Sequence, residues 1–348
     1  MKENSFNSEL TKGISIVICT YNGVSRLGPT LKSIFSLQID TFIDWELIII
    51  DNASKDNTSQ FCENLIQEYG FTAKSRVVLE SKVGCNHARR RGIDEAQYNW
   101  LLFCDDDNHL FPDYIQKAWP ILTKKNSIGA LGGQGIALFE ETKPTWFDRY
   151  SHSFAIGPQA TKEGKINSSR AELYSAGTFF RKDLLMHYFN TGFNCLMVGR
   201  KGKEIYGGED VEFCLLIQLR GYEIWYGNEL KFYHYMTKER MTWPYYLKLK
   251  EGISSTSAYF ASYMPFFKKG KPTNLSFFTT YLSNYIFFHL VWLHFFVRSK
   301  IQPSRYSQEQ FDLGKVINRR KALSYRSNFR EAFLHFKQLK KHLRLIAN

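Results

Sequence analysis

Short apolar runs alternate with amphipathic segments through the first third of the chain, and each apolar run ends abruptly at polar residues. Residues 14–20 form a β-branched run that stops at the turn signal Tyr21-Asn22-Gly23, and residues 45–50 form a second run that stops at Asp51. An apolar run of this length without polar alternation is typical of a strand buried on both faces. The pattern therefore predicts buried parallel strands with polar residues at their carboxyl ends.

Apolar residues at helical spacing separate these predicted strands. Residues 27–35 and 61–69 each show that spacing, and further short apolar runs at 76–80 and 101–104 predict a third and a fourth strand. Strand–helix repetition places successive strands parallel in one sheet. The expected fold class is α/β, Rossmann-like, with a mainly parallel central sheet and helices on both faces.

The fourth apolar run leads directly into three carboxylates, Asp105, Asp106 and Asp107. Adjacent acids repel one another unless a positive group lies among them, and a hard cation such as Mg²⁺ or Mn²⁺ would also bind the phosphates of a nucleotide. A solvated acidic turn is the alternative. The position at the carboxyl end of a buried strand favours a ligand site, because open α/β sheets bind ligands there.

Four short motifs follow in order along the chain. They are Thr-Tyr-Asn-Gly at 20–23, Asp-Asn-Ala-Ser-Lys-Asp at 51–56, the acidic triplet at 105–107 and Gly-Gly-Glu-Asp at 207–210. No phosphate-cradling P-loop and no Gly-x-Gly-x-x-Gly turn follows the first strand. The ordered set resembles the inverting family 2 glycosyltransferases, which have the GT-A fold. The resemblance covers roughly residues 13–240 and implies a GT-A nucleotide-sugar glycosyltransferase domain over residues 1–240.

The resemblance places the donor nucleotide at the strand ends. Asp51 would accept hydrogen bonds from the base, although a turn-forming Asp is the alternative there. Arg89, in a segment that opens a helix, would lie near the donor, or it belongs to a solvated basic helix. The implied nucleotide-binding residues are Thr20, Tyr21, Asn22, Asp51, Ser54, Arg89, Asp105 and Asp106.

A divalent metal site follows from the same resemblance. Asp107 is the expected ligand of a Mg²⁺ or Mn²⁺ ion that bridges the diphosphate, and Asp105 is the expected ribose or metal contact. Asp106 can take either role, because the triplet leaves the register open. His234 is a further candidate ligand, with a purely structural role as the alternative.

Asp210 is the expected catalytic base. Displacement with inversion needs a carboxylate that takes the proton of the acceptor hydroxyl, and Asp210 opens a predicted helix next to Glu209. A plain helix N-cap is the alternative for Asp210. The candidate contacts of the donor sugar or acceptor are Gly133, Gly177, Glu209 and Trp146, where tight turns and simple packing are the alternatives for the glycines and for Trp146.

Composition and charge change the picture mainly in the C-terminal part. At 44% hydrophobic and 23% charged residues, the chain is globular and not disordered. Of the net charge of +13, the tail 298–348 carries +10, from thirteen Lys and Arg against three acids. Residues 1–12 are polar and contain two acids, which predicts that no signal peptide precedes the fold. The six cysteines lack metal-ligand spacing and are expected to be reduced.

The expected C-terminal helical region, residues 241–348, contains an aromatic-rich segment at 274–297 without a charged residue. Its length would span a bilayer, but its polar residues and the basic tail favour a helix in the interface of an anionic membrane surface. A buried helix or a subunit contact is the alternative. Nucleic acid is not an expected partner.

The resemblance implies a metal-dependent inverting glycosyltransferase, and the apolar segment with the basic tail adds the expectation that it lies on the inner, cytoplasmic face of the cell membrane. It would move a sugar from a UDP-, GDP- or dTDP-sugar to a hydroxyl of a glycan acceptor, lipid-linked in our interpretation, in the synthesis of a surface polysaccharide. Two alternatives remain open, a sugar nucleotidyltransferase and an inactive protein that binds a membrane or nucleic acid through its basic tail.

Overall fold

The computed structural model describes residues 11–347 apart from 169, 198, 200–204, 269–270 and 302–306. The prediction that no signal peptide precedes the fold rests mostly on residues 1–10, which lie outside the described residues. Residues 302–306 of the basic tail also lie outside them. The helices are α1 (Val24–Phe35), α2 (Thr58–Glu68), α3 (Cys85–Glu95), α4 (Tyr114–Lys124), α5 (Phe147–Tyr150), α6 (Lys182–Asn190), α7 (Glu209–Leu219), α8 (Trp243–Ser255), α9 (Ser257–Phe260), α10 (Met264–Phe267), α11 (Asn274–Ile301), α12 (Gln308–Ser327) and α13 (Phe329–Ala347). Short 3₁₀ helices lie at Ser151–Phe154 and Lys238–Met241.

In the described part of the chain, nine strands form one mixed sheet. The strands are β1 (Thr11–Thr20), β2 (Trp45–Asp51), β3 (Ser75–Leu79), β4 (Tyr98–Asp105), β5 (Asn108–Leu110), β6 (Ile128–Phe139), β7 (Gly164–Lys165), β8 (Thr178–Arg181) and β9 (Glu223–Met236). Their order is β3-β2-β1-β4-β8-β6-β9-β5, and β7 pairs with β9. Strands β3, β2, β1 and β4 run parallel, whereas β8 is antiparallel to its neighbours β4 and β6.

Two apolar layers cover the sheet, as the uninterrupted hydrophobic strands require. Helices α1, α2 and α4 pack on one face, against residues such as Ile16 and Leu47. Helices α3, α6 and α7 pack on the other face, against residues such as Val17 and Phe103. Neighbouring residues of one strand point to opposite layers because side chains alternate across a strand. The predicted α/β class with helices on both faces is confirmed.

Strand register brings the polar motifs to one edge of the sheet. Thr20 of β1 pairs with Asp51 of β2, and Cys19 pairs with Asp105 of β4. Gly133, for which a tight turn was the alternative to a sugar contact, lies within β6 and not in a turn, and His234 lies inside β9.

The C-terminal helices share one buried cluster with the α/β part of the chain. Leu339 of α13 and Tyr263 pack with Leu215 and Leu216 of α7 in one buried cluster. Helix α11 buries Phe277 in a second cluster that includes residues of α12 and α13. The predicted helical, aromatic-rich C-terminal region is therefore confirmed. Within the described ranges, no helix combines the length and the apolar character needed to cross a bilayer.

One face of α11 remains exposed and apolar. Leu290 is 61% exposed, and the other large apolar residues of this face are Leu275, Phe278, Leu282, Ile286, Phe287, Leu293, Phe296, Val297 and Ile301. Their spacing of three or four residues follows one side of the helix. An apolar face of this size on a monomer indicates a contact surface.

Candidate active site

A cleft of about 1360 Å³ opens at the carboxyl ends of the parallel strands. It brings together most of the residues that the motifs predicted from distant parts of the chain. Of the expected site residues, it is lined by Thr20, Tyr21, Arg89, Asp105, Asp106, Asp107, Glu209, Asp210 and His234. The remaining ones, Asn22, Asp51, Ser54, Gly133, Gly177 and Trp146, do not line it.

Hydrogen bonds join the two loops beside the cleft, residues 20–23 and 51–56. They involve Asp51, Asn22 and Ser54. Both carboxylate oxygens of buried Asp51 accept hydrogen bonds, from the Ser54 amide at 3.0 Å and from the Ser59 hydroxyl. The Asn22 amide donates to Ser54 Oγ at 2.9 Å, and the Lys55 amide donates to Asn22 Oδ1 at 2.8 Å. Asp51 thus has the turn-forming role that was one of its two expected roles.

The three acids of the triplet point to three different partners. Asp106 accepts from Thr20 Oγ1 and from Arg26 Nη2, both at 2.7 Å. Asp105, whose side chain is 43% exposed, lies 3.9 Å from Arg89. Asp107, whose side chain is 5% exposed, pairs with Arg240 at 2.7 Å and lies 3.3 Å from His234. The divergence separates like charges and gives each acid its own cation.

Of the three expected metal ligands, Asp107 and His234 lie side by side, whereas Asp105 points to Arg89. His234 Nδ1 lies 2.9 Å from the Phe154 carbonyl oxygen, a contact that orients the ring with Nε2 toward Asp107. Among the described residues, no group of three His, Cys, Asp or Glu side chains is arranged as metal ligands. Two protein ligands suffice where phosphate oxygens of a substrate complete the coordination.

A buried arginine connects the acidic strand end to the Gly-Glu-Asp motif. Arg89, 6% exposed, donates to Glu209 Oε1 at 2.8 Å and to the Ser175 hydroxyl. The Ser175 amide in turn donates to Asp210 Oδ2 at 3.3 Å. The solvated-helix alternative is therefore wrong for Arg89, whose guanidinium is part of the cleft wall. This network fixes the position of Glu209 and Asp210 relative to β4.

Asp210 is the second residue of α7, and Gly208 is the N-cap. Gly208 has φ +107°, and a Cβ there would lie 2.7 Å from Met197 Sδ, so both the backbone and the space favour glycine. The N-cap alternative for Asp210 is thus wrong. Desolvation, with a smaller contribution from the charge of Glu209, raises the pKa of Asp210 to about 7. That value suits a general base at neutral pH.

Three candidate sugar contacts serve packing in this structure. A Cβ on Gly133 would lie 2.2 Å from the Leu230 carbonyl oxygen, and one on Gly177 would lie 2.7 Å from Tyr114 Oη. Trp146 packs against Trp243 and other rings at the base of α8. Simple packing, the alternative considered for Trp146, is what its surroundings show. Gly177 has φ +64° in the turn that the Thr178 amide closes on the Ser175 carbonyl oxygen, which is the tight turn considered for it.

Three residues beside the triplet and the strand ends were not among the expected site residues. Asn52 is buried and donates to two carbonyl oxygens of the 80–82 segment while accepting from the Gly84 amide. Arg26 and Arg240 hold two acids of the triplet. Arg240 is 133 residues from Asp107 in the chain, so only the folded structure reveals the pair. Asn52 alone had a local signal, its position directly after a buried strand.

The fold and the cleft are those of the GT-A class, with acids at the end of the fourth strand and two adjacent carboxylates at a helix start. The chain belongs to glycosyl transferase family 2. The sequence model of that family matches residues 15–189, which are half of this chain. The predicted family is therefore confirmed.

Curated relatives share part of their length with this chain. A GalNAc(5)-diNAcBac-PP-undecaprenol beta-1,3-glucosyltransferase of Campylobacter jejuni is 27% identical over 204 residues, which are 56% of this chain and 57% of that protein. A poly-beta-1,6-N-acetyl-D-glucosamine synthase of Staphylococcus epidermidis is 28% identical over 141 residues, 38% of this chain and 33% of that protein. The chain thus spans about a third to somewhat over half of these relatives.

Solved structures share the fold. A mannosyltransferase from Pyrobaculum calidifontis in complex with GDP-Man and Mn²⁺ superimposes with a TM-score of 0.57 at 12% identity, covering 92% of this chain and 89% of that one. Residues 1–349 of S. aureus TarS in complex with UDP-GlcNAc give a TM-score of 0.50 at 16% identity, covering 91% and 92%. At these identities the likeness concerns the fold alone.

Proposed function

We propose that this chain is a metal-dependent inverting glycosyltransferase. It transfers a sugar from a UDP-, GDP- or dTDP-sugar to a hydroxyl of a lipid-linked glycan acceptor during the synthesis of a surface polysaccharide. The observation that carries the proposal is the single cleft that holds Asp107 and His234 together with Asp210, a carboxylate whose pKa of about 7 suits a base.

Asp210 acts as the base in this proposal. Its carboxylate takes the proton of the acceptor hydroxyl while the hydroxyl oxygen bonds to the anomeric carbon of the donor sugar. The bond from that carbon to the diphosphate breaks on the opposite face, and the nucleoside diphosphate leaves with the electron pair. Arg89 keeps Glu209 charge-paired at 2.8 Å, so the helix start that carries Asp210 is held in place.

Asp107 and His234 would hold the divalent cation, Mg²⁺ or Mn²⁺. Bound there, the ion would neutralise charge on the departing nucleoside diphosphate. Arg240, 2.7 Å from Asp107, adds a second positive group at the same end of the cleft. Thr20 and Tyr21 form the wall on which the nucleotide would lie.

A peripheral place on the inner face of the cell membrane is part of the proposal. The exposed apolar face of α11 and the basic tail after Arg298 are the features that support it. A helix with an exposed apolar face can bury that face among lipid headgroups while basic residues elsewhere in the chain contact anionic lipid. The name of the Campylobacter relative, which contains a PP-undecaprenol acceptor, supports a lipid-linked acceptor here.

A screen of nucleotide sugars tests the function. Thermal stabilisation and donor hydrolysis are measured with Mn²⁺, Mg²⁺ or EDTA for wild type and for Asp107→Ala. A donor at 100 times its Kd should stabilise the wild type by about 2.7 kcal/mol, and only with the metal present. Asp107→Ala should lose this metal-dependent binding because the cation loses a carboxylate ligand.

Asp94→Asn is the matched control for the loss of one carboxylate. Asp94 forms an exposed pair with Arg90 on α3 and does not line the cleft, so this variant should bind the donor like the wild type. Equal donor affinity of Asp107→Ala and wild type, with and without EDTA, would contradict the metal assignment. Absence of binding for every nucleotide sugar tested would contradict the proposed function.

A further inference from the structure

The cleft continues from the strand ends to a second wall made by the C-terminal helices. This wall is lined by Lys250 of α8, Asn284 of α11, and Lys321 and Tyr325 of α12, and Arg170 lines the same cleft. Helix α8 packs against α12, which brings the two lysines into one half of the cleft. Neither lysine belongs to a motif that the proposed reaction uses.

Both lysines are partly buried and lack a carboxylate partner in the described part of the chain. Lys250 Nζ donates to Ser153 Oγ at 3.3 Å, and Lys321 Nζ lies 4.8 Å from the centre of the Phe288 ring. The pKa of Lys250 is lowered, mainly by desolvation and to a smaller extent by the charge of Lys321. The pKa of Lys321 is lowered in the same way, mainly by desolvation and to a smaller extent by the charge of Arg170.

The nearby charges leave this half of the cleft positive. Arg170 pairs with Glu172 at 2.7 Å, so that acid is already occupied. The other described acids that line the cleft belong to the triplet and to the Gly-Glu-Asp motif, at the strand ends. The charge of Lys321 acts on Lys250, and no acid among the described residues pairs with either lysine. An anion bound at this wall would offset that repulsion, which indicates an anion-binding site.

We propose that Lys250 and Lys321 form a subsite for a phosphate group of the acceptor. The inference rests on the proposed function, because the donor diphosphate belongs with Asp107 and Arg240 at the strand ends. The lysine ammonium groups would donate charge-assisted hydrogen bonds to the phosphate oxygens. Because α11 lines this wall and carries the exposed apolar face, a lipid diphosphate could place its phosphates on the lysines and its chain along α11.

Calorimetric titration with farnesyl diphosphate tests the subsite in the full-length protein. EDTA is present throughout, so that a metal-bridged diphosphate at the strand ends does not contribute. The wild type should bind the probe. Lys250→Gln and Lys321→Gln should each weaken binding about tenfold, because each removes one charge-assisted contact. Lys250→Arg should restore most of the affinity.

Lys248→Gln is the matched control, since Lys248 is exposed on the same helix and does not line the cleft. It should bind farnesyl diphosphate like the wild type. Metal-dependent donor binding, measured separately, should be unchanged in all the lysine variants. If the double variant Lys250→Gln/Lys321→Gln binds farnesyl diphosphate as tightly as the wild type, or if the wild type does not bind it, the subsite is refuted.

Two more probes distinguish the sources of the phosphate. If the lysines bind farnesyl diphosphate more tightly than inorganic pyrophosphate, the subsite is assigned to a lipid diphosphate. Tighter lysine-dependent binding of a soluble poly(glycerol phosphate) assigns it to a phosphodiester polymer. If no nucleotide sugar binds while lysine-dependent probe binding persists, the proposed function fails and the phosphate subsite stands, so the two failures are distinguishable.

Discussion

The pH dependence of sugar transfer is the sharpest test of Asp210 as the base. Desolvation, and after it the charge of Glu209, raises the pKa of this carboxyl from 3.8 to about 7. The base works in its ionised form, so activity should be present above that pKa and lost as the pH falls through it. With a pKa of about 7, roughly nine-tenths of Asp210 is ionised at pH 8 and roughly one-tenth at pH 6.

The expected result is therefore a fall of kcat/KM of about tenfold from pH 8 to pH 6. Asp210→Asn keeps the size of the side chain but cannot take a proton, so turnover should drop by about 10²-fold or more while donor affinity survives. Glu209→Gln removes the neighbouring negative charge and releases Arg89, 2.8 Å away, from its partner. Both effects favour the ionised form of Asp210, so the ascending limb should move to lower pH.

Initial transfer rates between pH 5.5 and pH 8.5, with the donor identified by the nucleotide-sugar screen, provide the measurement. Donor affinity is determined at each pH by titration, so that a binding effect is separated from a catalytic one. A wild-type profile that is flat between pH 6 and pH 8 would refute the raised pKa. An Asp210→Asn variant with nearly wild-type turnover would assign the base to another residue.

Three further changes have defined outcomes. Burial raises the pKa of Glu212 from 4.5 to about 7, so the folded state binds the carboxyl proton more tightly than the unfolded state does. The free energy of unfolding should therefore fall by roughly 3 kcal/mol as the pH rises from below 4.5 to above 7. Urea unfolding at pH 5 and pH 8 should show a smaller difference for Glu212→Gln. Gly208→Ala should lower the free energy of unfolding by about 1–2 kcal/mol, because alanine is strained at the positive φ of this position. Gly28→Ala, within α1, should not lower it, and denaturant unfolding measures both variants. Replacing Leu282, Ile286 and Leu290 with Gln should reduce flotation with phosphatidylglycerol liposomes, and unchanged flotation would show that α11 is not the lipid contact.

The amino-acid sequence by itself determined the α/β class and most of the cleft. Buried parallel strands are encoded locally, by β-branched runs such as residues 14–20, and their carboxyl ends meet at one edge whatever follows in the chain. Polar residues directly after those strands, such as Thr20 and Asp107, could therefore be assigned to the site from their positions in the chain. The ordered motifs then indicated the family, which the comparison over residues 15–189 confirmed.

Only the tertiary structure decided which charges pair and which small residues serve packing. Arg240 reaches Asp107 across 133 residues of chain, and Lys250 and Lys321 meet because α8 packs on α12. Such pairings depend on the packing of distant elements and leave no local pattern. For the same reason Gly133, expected at the sugar, proved to fit under the Leu230 carbonyl group inside the sheet. Local sequence specifies strand ends, whereas contacts between elements are decided by how the whole chain packs.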